Sequence, residues 1–248
     1  MVDIHCHILP WIDDGASSME EALEMAAMAH WSGVTDIVAT PHFRGDRSGL
    51  DQLDQIRRGY ENLHRELTNQ KIPVKLHCGA EILCLPETAI LAEERLLPTL
   101  SDSHYVLAEF YFDESFEYMD RMLEAISRNG YWVIVAHPER YGVIQRHPVL
   151  LERWVRKGYV IQMNKGSVLG SFGTETQQTE NALLALGMVH LIASDAHGCL
   201  RRTPHMEQIR QWAHRCCTES CASILLDRNP RMILQGKPVV EMDGREDR

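Results

Sequence analysis

At 248 residues, 44% hydrophobic and 24% charged, the chain can bury a full core, and no Pro/Gly/Ser-rich linker divides it; one domain over 1–248 is expected, peripheral after about 236. A formal charge of −10 argues against a general nucleic-acid binder, though not against a local cationic site for an anion. The first residues form neither a basic region nor an apolar run, no stretch approaches the ~18 apolar residues of a membrane span, and the seven cysteines contain no CxxC pair, so a cytoplasmic protein with reduced thiols and no membrane insertion is expected.

The chain opens VDIHCH, which reads as a strand over 2–7. At strand spacing His5 and His7 point to one face and Cys6 to the other. A helix comes next over 18–31, with Ser18 as N-cap and Glu21 completing a capping box. Further strands are expected over 35–40, 73–79, 105–110, 131–137, 159–164 and 189–194, and helices over 53–67, 117–128, 149–157, 176–186 and 205–217. Gly33, Gly130, Gly158 and Gly187 each stand just after a helix, where a C′ glycine belongs. The stretch 241–248 reads as solvated. Seven apolar strands alternating with helices imply a parallel α/β sheet, closed or nearly closed as a β/α barrel.

The residues at the strand ends carry the chemistry. The first strand ends at His7, the second runs into Thr-Pro-His42, the third into Gly-Ala-Glu81, the fourth ends at Glu109, the fifth at His137, and the last runs into Asp195-Ala-His197. In β/α barrels such ends face one cavity. With Asp14, the candidates are five imidazoles (His5, His7, His42, His137, His197) and four carboxylates (Asp14, Glu81, Glu109, Asp195), too many for one tetrahedral zinc and suited to two or three divalent ions. The N/O donors without thiolate fit Mn²⁺, Fe²⁺ or Zn²⁺. Asp13 adjoins Asp14, and the residues alone leave open which is the ligand. Three dications against four carboxylates leave a net +2, a pocket for an oxyanion, and clustered metals activate water toward phosphoesters. Arg140 in HPERY and Arg202 in CLRRTPH are guanidinium forks placed for phosphate, with Arg201 as a neighbouring substitute. Alone, an HxH or a strand-end glutamate is ordinarily structural, and Arg140 could simply pair with a surface acid; the shared register favours a metal centre.

The segments DIHCHILPWIDDG, ATPHF, CGAEI, LAEF, VIVAHPERY, QMNKGSVLG and IASDAH, in that order over about 1–235, resemble the polymerase-and-histidinol-phosphatase (PHP) superfamily. Within it they are most similar to the bacterial protein-tyrosine phosphatases of capsular and exopolysaccharide operons. The resemblance implies a distorted seven-stranded β/α barrel and a manganese-type centre of three divalent ions. One ion would take His5, His7, Glu81 and Asp195; a second Glu81, Glu109 and His137; a third Asp14, His42 and His197. It also implies that Arg140 and Arg202 hold the phosphate and that the substrate is phosphotyrosine on the tail of a bacterial tyrosine autokinase. The expected chemistry is in-line attack by a metal-activated hydroxide without a phosphocysteine, since no cysteine starts a C-x5-R motif. The rival readings are a small-molecule phosphatase, such as one for histidinol phosphate, and a non-catalytic phosphate-binding module.

Overall fold

The computed structural model describes residues 1–241; the remainder of the stretch read as a solvated tail lies outside the described residues. Among the described residues nine strands form: β1 (Val2–Cys6), β2 (Asp36–Ala39), β3 (His42–Arg44), β4 (Lys75–Cys78), β5 (Glu81–Leu83), β6 (Tyr105–Glu109), β7 (Trp132–Ala136), β8 (Val160–Asn164) and β9 (Leu191–Ala193). All pairings are parallel, as the strand–helix alternation requires. They make two sheets, β1-β2-β4 and β3-β5-β6-β7-β8-β9, and not the single closed seven-stranded barrel expected.

The difference lies in two expected strands that break. Between β2 and β3 stands Pro41, which has no N–H to give a ladder. Between β4 and β5 stands Gly79, where a Cβ would come within 2.7 Å of Leu100 and 2.9 Å of Val38, so the chain is pressed too close to its neighbours to carry a side chain. Each run resumes on a candidate ligand, and the two are register partners: His42 opposite Glu81.

β1 also departs from simple alternation. Its register against β2 slips between Asp3 and Cys6. Val2 and Ile4 pack in a small apolar cluster built mainly from alternate strand residues, whereas Cys6 packs in the larger cluster that contains the helices' buried faces. A bulge of this kind re-aims side chains. Here it lets His5 and His7 follow Ile4 onto the face away from the helices while Cys6 turns outward. Beyond it, β1 joins the segment after β9: His7 N donates to Ala196 O (2.9 Å), Asp195 N to His5 O (2.8 Å), and Ser194 N to the buried Asp3 carboxylate (2.9 Å).

The helices form where the caps and apolar stripes place them. Met19–Trp31 is capped by Ser18, which accepts from Glu21 N (3.2 Å); the Glu21 carboxylate turns to Ser17 N (2.8 Å) and not to Ser18, so the capping box is only half closed. The second helix, Arg47–Asn69, starts earlier than expected because Asp46 caps it on Gly49 N. The glycines after four helices take φ between +68° and +93°. Lys237 and Val240 are tied down: Val240 N donates to Asn229 Oδ1 and Asn229 Nδ2 to Val240 O, both 2.8 Å, and Tyr105 OH donates to Lys237 O. Among the described residues no helix is long and apolar enough to cross a membrane.

Candidate metal centre

The strand ends bring all nine expected ligand side chains into one cluster. His5 and His7 are fully buried, Glu81, Asp195 and His137 nearly so, and Asp14 and His42 lie toward the opening. His5 Nε2 is 3.2 Å from Glu81 Oε1 and 3.4 Å from Asp195 Oδ1; His7 Nε2 is 3.2 Å from Glu81 Oε2 and 3.5 Å from the same Asp195 oxygen. His137 Nε2 meets Glu81 at 2.8 Å, and His42 Nδ1 meets Glu109 at 2.9 Å and Glu81 at 3.2 Å. Asp14 Oδ1 lies 3.5 Å from His42 Nε2 and 3.4 Å from His197 Nε2. Among the described residues four overlapping groups are compact enough for an ion: His7-Asp14-His42-His197, His5-His7-Glu81, His5-His137-Asp195 and His42-Glu81-Glu109.

Behind these side chains lies a layer of residues that sequence reading missed. Asn164 Nδ2 donates to Asp195 Oδ2, Gln162 Nε2 donates to Asn164 Oδ1 (2.8 Å), and Gln162 Oε1 faces His5 Nδ1 (2.8 Å). Because a carboxylate only accepts, each amide in this chain can sit only one way round, and His5 must donate from Nδ1. The same logic holds at His7, whose Nδ1 donates to Asp13 Oδ2 (2.7 Å). Asp13 also accepts from His42 N (2.8 Å) and Gly15 N (2.9 Å). Against burial, these bonds hold its pKa at about 2. Asp13 is thus the orienting carboxylate behind a histidine, and Asp14 is the one that reaches the cluster. Gly15 permits the turn: a Cβ there would sit 2.0 Å from His7 O.

These tautomers test whether metal fits. With both Nδ1 atoms donating, His5 and His7 turn their Nε2 lone pairs toward each other at 3.2 Å and toward the oxygens of Glu81 and Asp195. With those rings neutral, acceptors face acceptors, an arrangement that a cation between them satisfies, and the donor set fits one. The electrostatics show the same demand for positive charge, which protons on the imidazoles also meet. Burial alone would lower the His7 pKa, yet hydrogen bonds with Asp13, Asp195 and Glu81 raise it well above the usual value. Burial likewise opposes the charge on His42, but Glu109 and Glu81 push it to about 10. Glu81 and Asp195, despite burial, are held well below the usual carboxylate range by the surrounding imidazoles. His197 is the exception: burial, with the charges of His7 and Arg202, lowers it to about 4, leaving a neutral imidazole whose buried Nε2 has no hydrogen-bond partner among the described residues.

Arg202 and Arg140 both face Asp195 Oδ2, Arg140 Nη1 at 3.7 Å, whereas the neighbouring Arg201 is exposed. That leaves Asp195 Oδ1 turned toward His5 and His7. Two of the cluster residues hold left-handed backbone, His137 at φ +34° and Asp195 at φ +50°. Such conformations cost roughly 1–3 kcal/mol each and concentrate where a side chain must be aimed.

A family model described as capsular polysaccharide synthesis, CpsB/CapC, matches residues 1–235. The chain belongs to this CpsB/CapC family. It is 35% identical over 210 residues to the tyrosine-protein phosphatase YwqE of Bacillus subtilis, covering 84% of this chain and 82% of that protein. It is 29% identical over 241 residues to the tyrosine-protein phosphatase CpsB of Streptococcus pneumoniae, covering 94% and 98%. A crystal structure from work on YwqE and CpsB, described as unique metal-dependent tyrosine phosphatases, superposes with a TM-score of 0.85 at 30% identity over 98% of this chain and 97% of that one. The putative histidinol phosphatase of Listeria monocytogenes shares the fold alone, with a TM-score of 0.51 at 11% identity over 87% of this chain and 100% of that one.

Proposed function

We propose that this protein is a metal-dependent protein-tyrosine phosphatase acting in the cytoplasm on the phosphotyrosine tail of a bacterial tyrosine autokinase in capsule or exopolysaccharide synthesis. The observation that carries the chemistry is the convergence of the His5 and His7 Nε2 atoms on the oxygens of Glu81 and Asp195. The names of the CpsB/CapC relatives support the substrate class. The domain is read as a single PHP unit over 1–248, its strands forming a distorted seven-stranded barrel interrupted at Pro41 and Gly79; the bonds from β1 to the segment after β9 support that reading.

His5, His7, Glu81 and Asp195 are assigned to one divalent ion, Glu81, Glu109 and His137 to a second, and Asp14, His42 and His197 to a third. The N/O donors suit Mn²⁺, with Fe²⁺ or Zn²⁺ as alternatives. When bound, such ions supply Lewis acidity toward phosphoryl oxygens and lower the pKa of water. The protein's own groups do the rest. Arg140 and Arg202 receive the equatorial phosphoryl oxygens and stabilise charge as the bond to the tyrosine oxygen breaks. Gln162 and Asp13 keep His5 and His7 in the Nδ1–H tautomer, so both Nε2 atoms stay available. The buried floor excludes bulk water and strengthens each of these interactions.

The test is phosphate release from a phosphotyrosine peptide and from histidinol phosphate by Mn²⁺-loaded protein, before and after exhaustive chelation checked by elemental analysis. Peptide turnover that chelation abolishes and Mn²⁺ restores is expected. Preferential turnover of histidinol phosphate would favour the small-molecule reading, and binding of peptide without phosphate release would favour the non-catalytic one.

A further inference from the structure

The Arg140 guanidinium is flanked by two phenyl rings. Its central carbon lies 4.3 Å from the Phe112 ring centre and 4.7 Å from that of Phe172. Its ion pair with Asp195 is long, 3.7 Å, so the ring faces are its close support. The three residues come from separate parts of the chain: Phe112 lies just after β6, Arg140 after β7, and Phe172 after β8.

Each ring is held in place. Gly142 N donates to Phe112 O (2.8 Å), and the Phe112 ring stands edge-on to His137 with centroids 6.1 Å apart. Phe172 sits in the short Gly170-Ser171-Phe172-Gly173 turn. A Cβ at Gly166 would lie 2.7 Å from Cε2 and 3.0 Å from Cζ of Phe172. The glycine of NKGS therefore makes the space the ring occupies, which gives a role to a motif the ligand set does not use.

We propose that Phe112 and Phe172 are positioning residues that clamp the plane of the Arg140 guanidinium and deliver its in-plane N–H groups to the incoming phosphate. The proposal rests on the reading of Arg140 as a phosphate contact. A guanidinium is planar and weakly hydrated, so it stacks on aromatic faces while its N–H groups stay free at the edge. Holding it there before phosphate arrives removes the ordering cost that a mobile arginine would bring to binding.

The experiment measures equilibrium binding of inorganic phosphate to the Mn²⁺-loaded full chain by calorimetry, with metal content and thermal unfolding recorded for every variant. Phe112→Leu and Phe172→Leu should each weaken phosphate binding by roughly three- to tenfold with metal content unchanged, and Phe112→Tyr and Phe172→Tyr should restore it. With phosphotyrosine peptide, KM should rise more than kcat falls. Gly166→Ala, which pushes the Phe172 ring aside without altering it, should reproduce Phe172→Leu, and it decides the matter should a leucine variant fail to fold. In an Arg140→Ala background the ring substitutions should cause no further loss. Wild-type phosphate affinity in both leucine variants, an undiminished effect without Arg140, or loss of metal along with phosphate would overturn the clamp. Absence of phosphotyrosine turnover in the wild type, with ring-dependent phosphate binding intact, would instead remove the functional reading and leave the clamp standing.

Discussion

The two ends of the strands are both rich in buried polar groups, and they use them in opposite ways. At the N-terminal ends, donors meet acceptors within the protein. His190 Nδ1 accepts from Ile161 N (3.1 Å), Asn229 donates to His190 O and exchanges two bonds with Val240, and Asp36 is shared by Thr35, His77 and Arg231. At the C-terminal ends, two imidazole Nε2 atoms and the oxygens of Glu81 and Asp195 converge on one point, where a cation, whether protons on the rings or a metal ion, reconciles them. Burial alone does not separate a structural polar group from a functional one; whether its partners are complementary does.

Breaking each end should therefore have different consequences. The largest effect is expected at Glu81, which touches His5, His7, His42 and His137. Glu81→Gln should lower metal content and cut kcat/KM by roughly 10³-fold, while elemental analysis and circular dichroism show folded, metal-poor protein. Wild-type occupancy would erase the contrast between the two ends. The opposite end answers with stability: Asn229→Leu removes three hydrogen bonds and should cost about 2–4 kcal/mol in urea unfolding, with kcat/KM of the folded fraction unchanged. Asp13→Asn tests the layer between ligand and fold and should weaken metal binding about 10–100-fold, read by titration against a fluorescent chelator; an unchanged affinity would make Asp13 a loop residue.

Acid sharpens the contrast. Burial lowers the His190 pKa to about 4, below the ~6.5 of an unfolded imidazole. Between those values the unfolded chain binds the extra proton, so His190 favours folding above pH 6.5 and that contribution fades as pH falls toward 4. From pH 6.5 to 5 it amounts to about 1.5 kcal/mol. His190→Gln should flatten the pH dependence of stability by that amount, measured by denaturant midpoints; parallel curves for the two proteins would refute it. The smallest effect is expected from Cys6→Ser: about 1 kcal/mol of stability, with metal content and turnover retained. Cys6 is fully buried in the apolar cluster, and burial pushes its thiol pKa well up, away from reactivity. Loss of turnover in folded, metal-loaded Cys6→Ser would contradict attack by a metal-activated hydroxide without a cysteine.

Much of the fold and site was legible in the sequence because it depends on short-range pattern. Seven strand positions, the N-cap at Ser18 and the strand-end acids and histidines come from spacing of two and from helix punctuation. The breaks at Pro41 and Gly79 were also signalled, but a short apolar run reads straight through one proline or glycine, and the seven became nine. Gln162, Asn164 and Asp13 were not legible as partners. Their roles depend on atoms 157, 31 and 6 residues away along the chain, and an amide in a buried strand carries no mark of which way it will face. The clamp on Arg140 was invisible for the same reason, since Phe112 and Phe172 become neighbours of the arginine only after three strands have paired. The Asp13/Asp14 ambiguity needed the turn at Gly15 to separate a carboxylate facing inward from one at the opening.

The pairing of Arg140 and Arg202 with a single oxygen of Asp195 bears on turnover as well as binding. On the proposed reading of Arg140 and Arg202 as phosphate contacts, a phosphate that enters between the two guanidiniums does not meet bare cations; it competes with a carboxylate already there. Its net affinity is the difference between two anions' claims on the same N–H groups, so it is weaker than a tally of contacts implies. On that same reading, when the ester bond is cut and inorganic phosphate departs, the guanidiniums have a resting partner to return to. Product exit then leaves no unpaired charge behind, and the site resets without waiting for the next substrate.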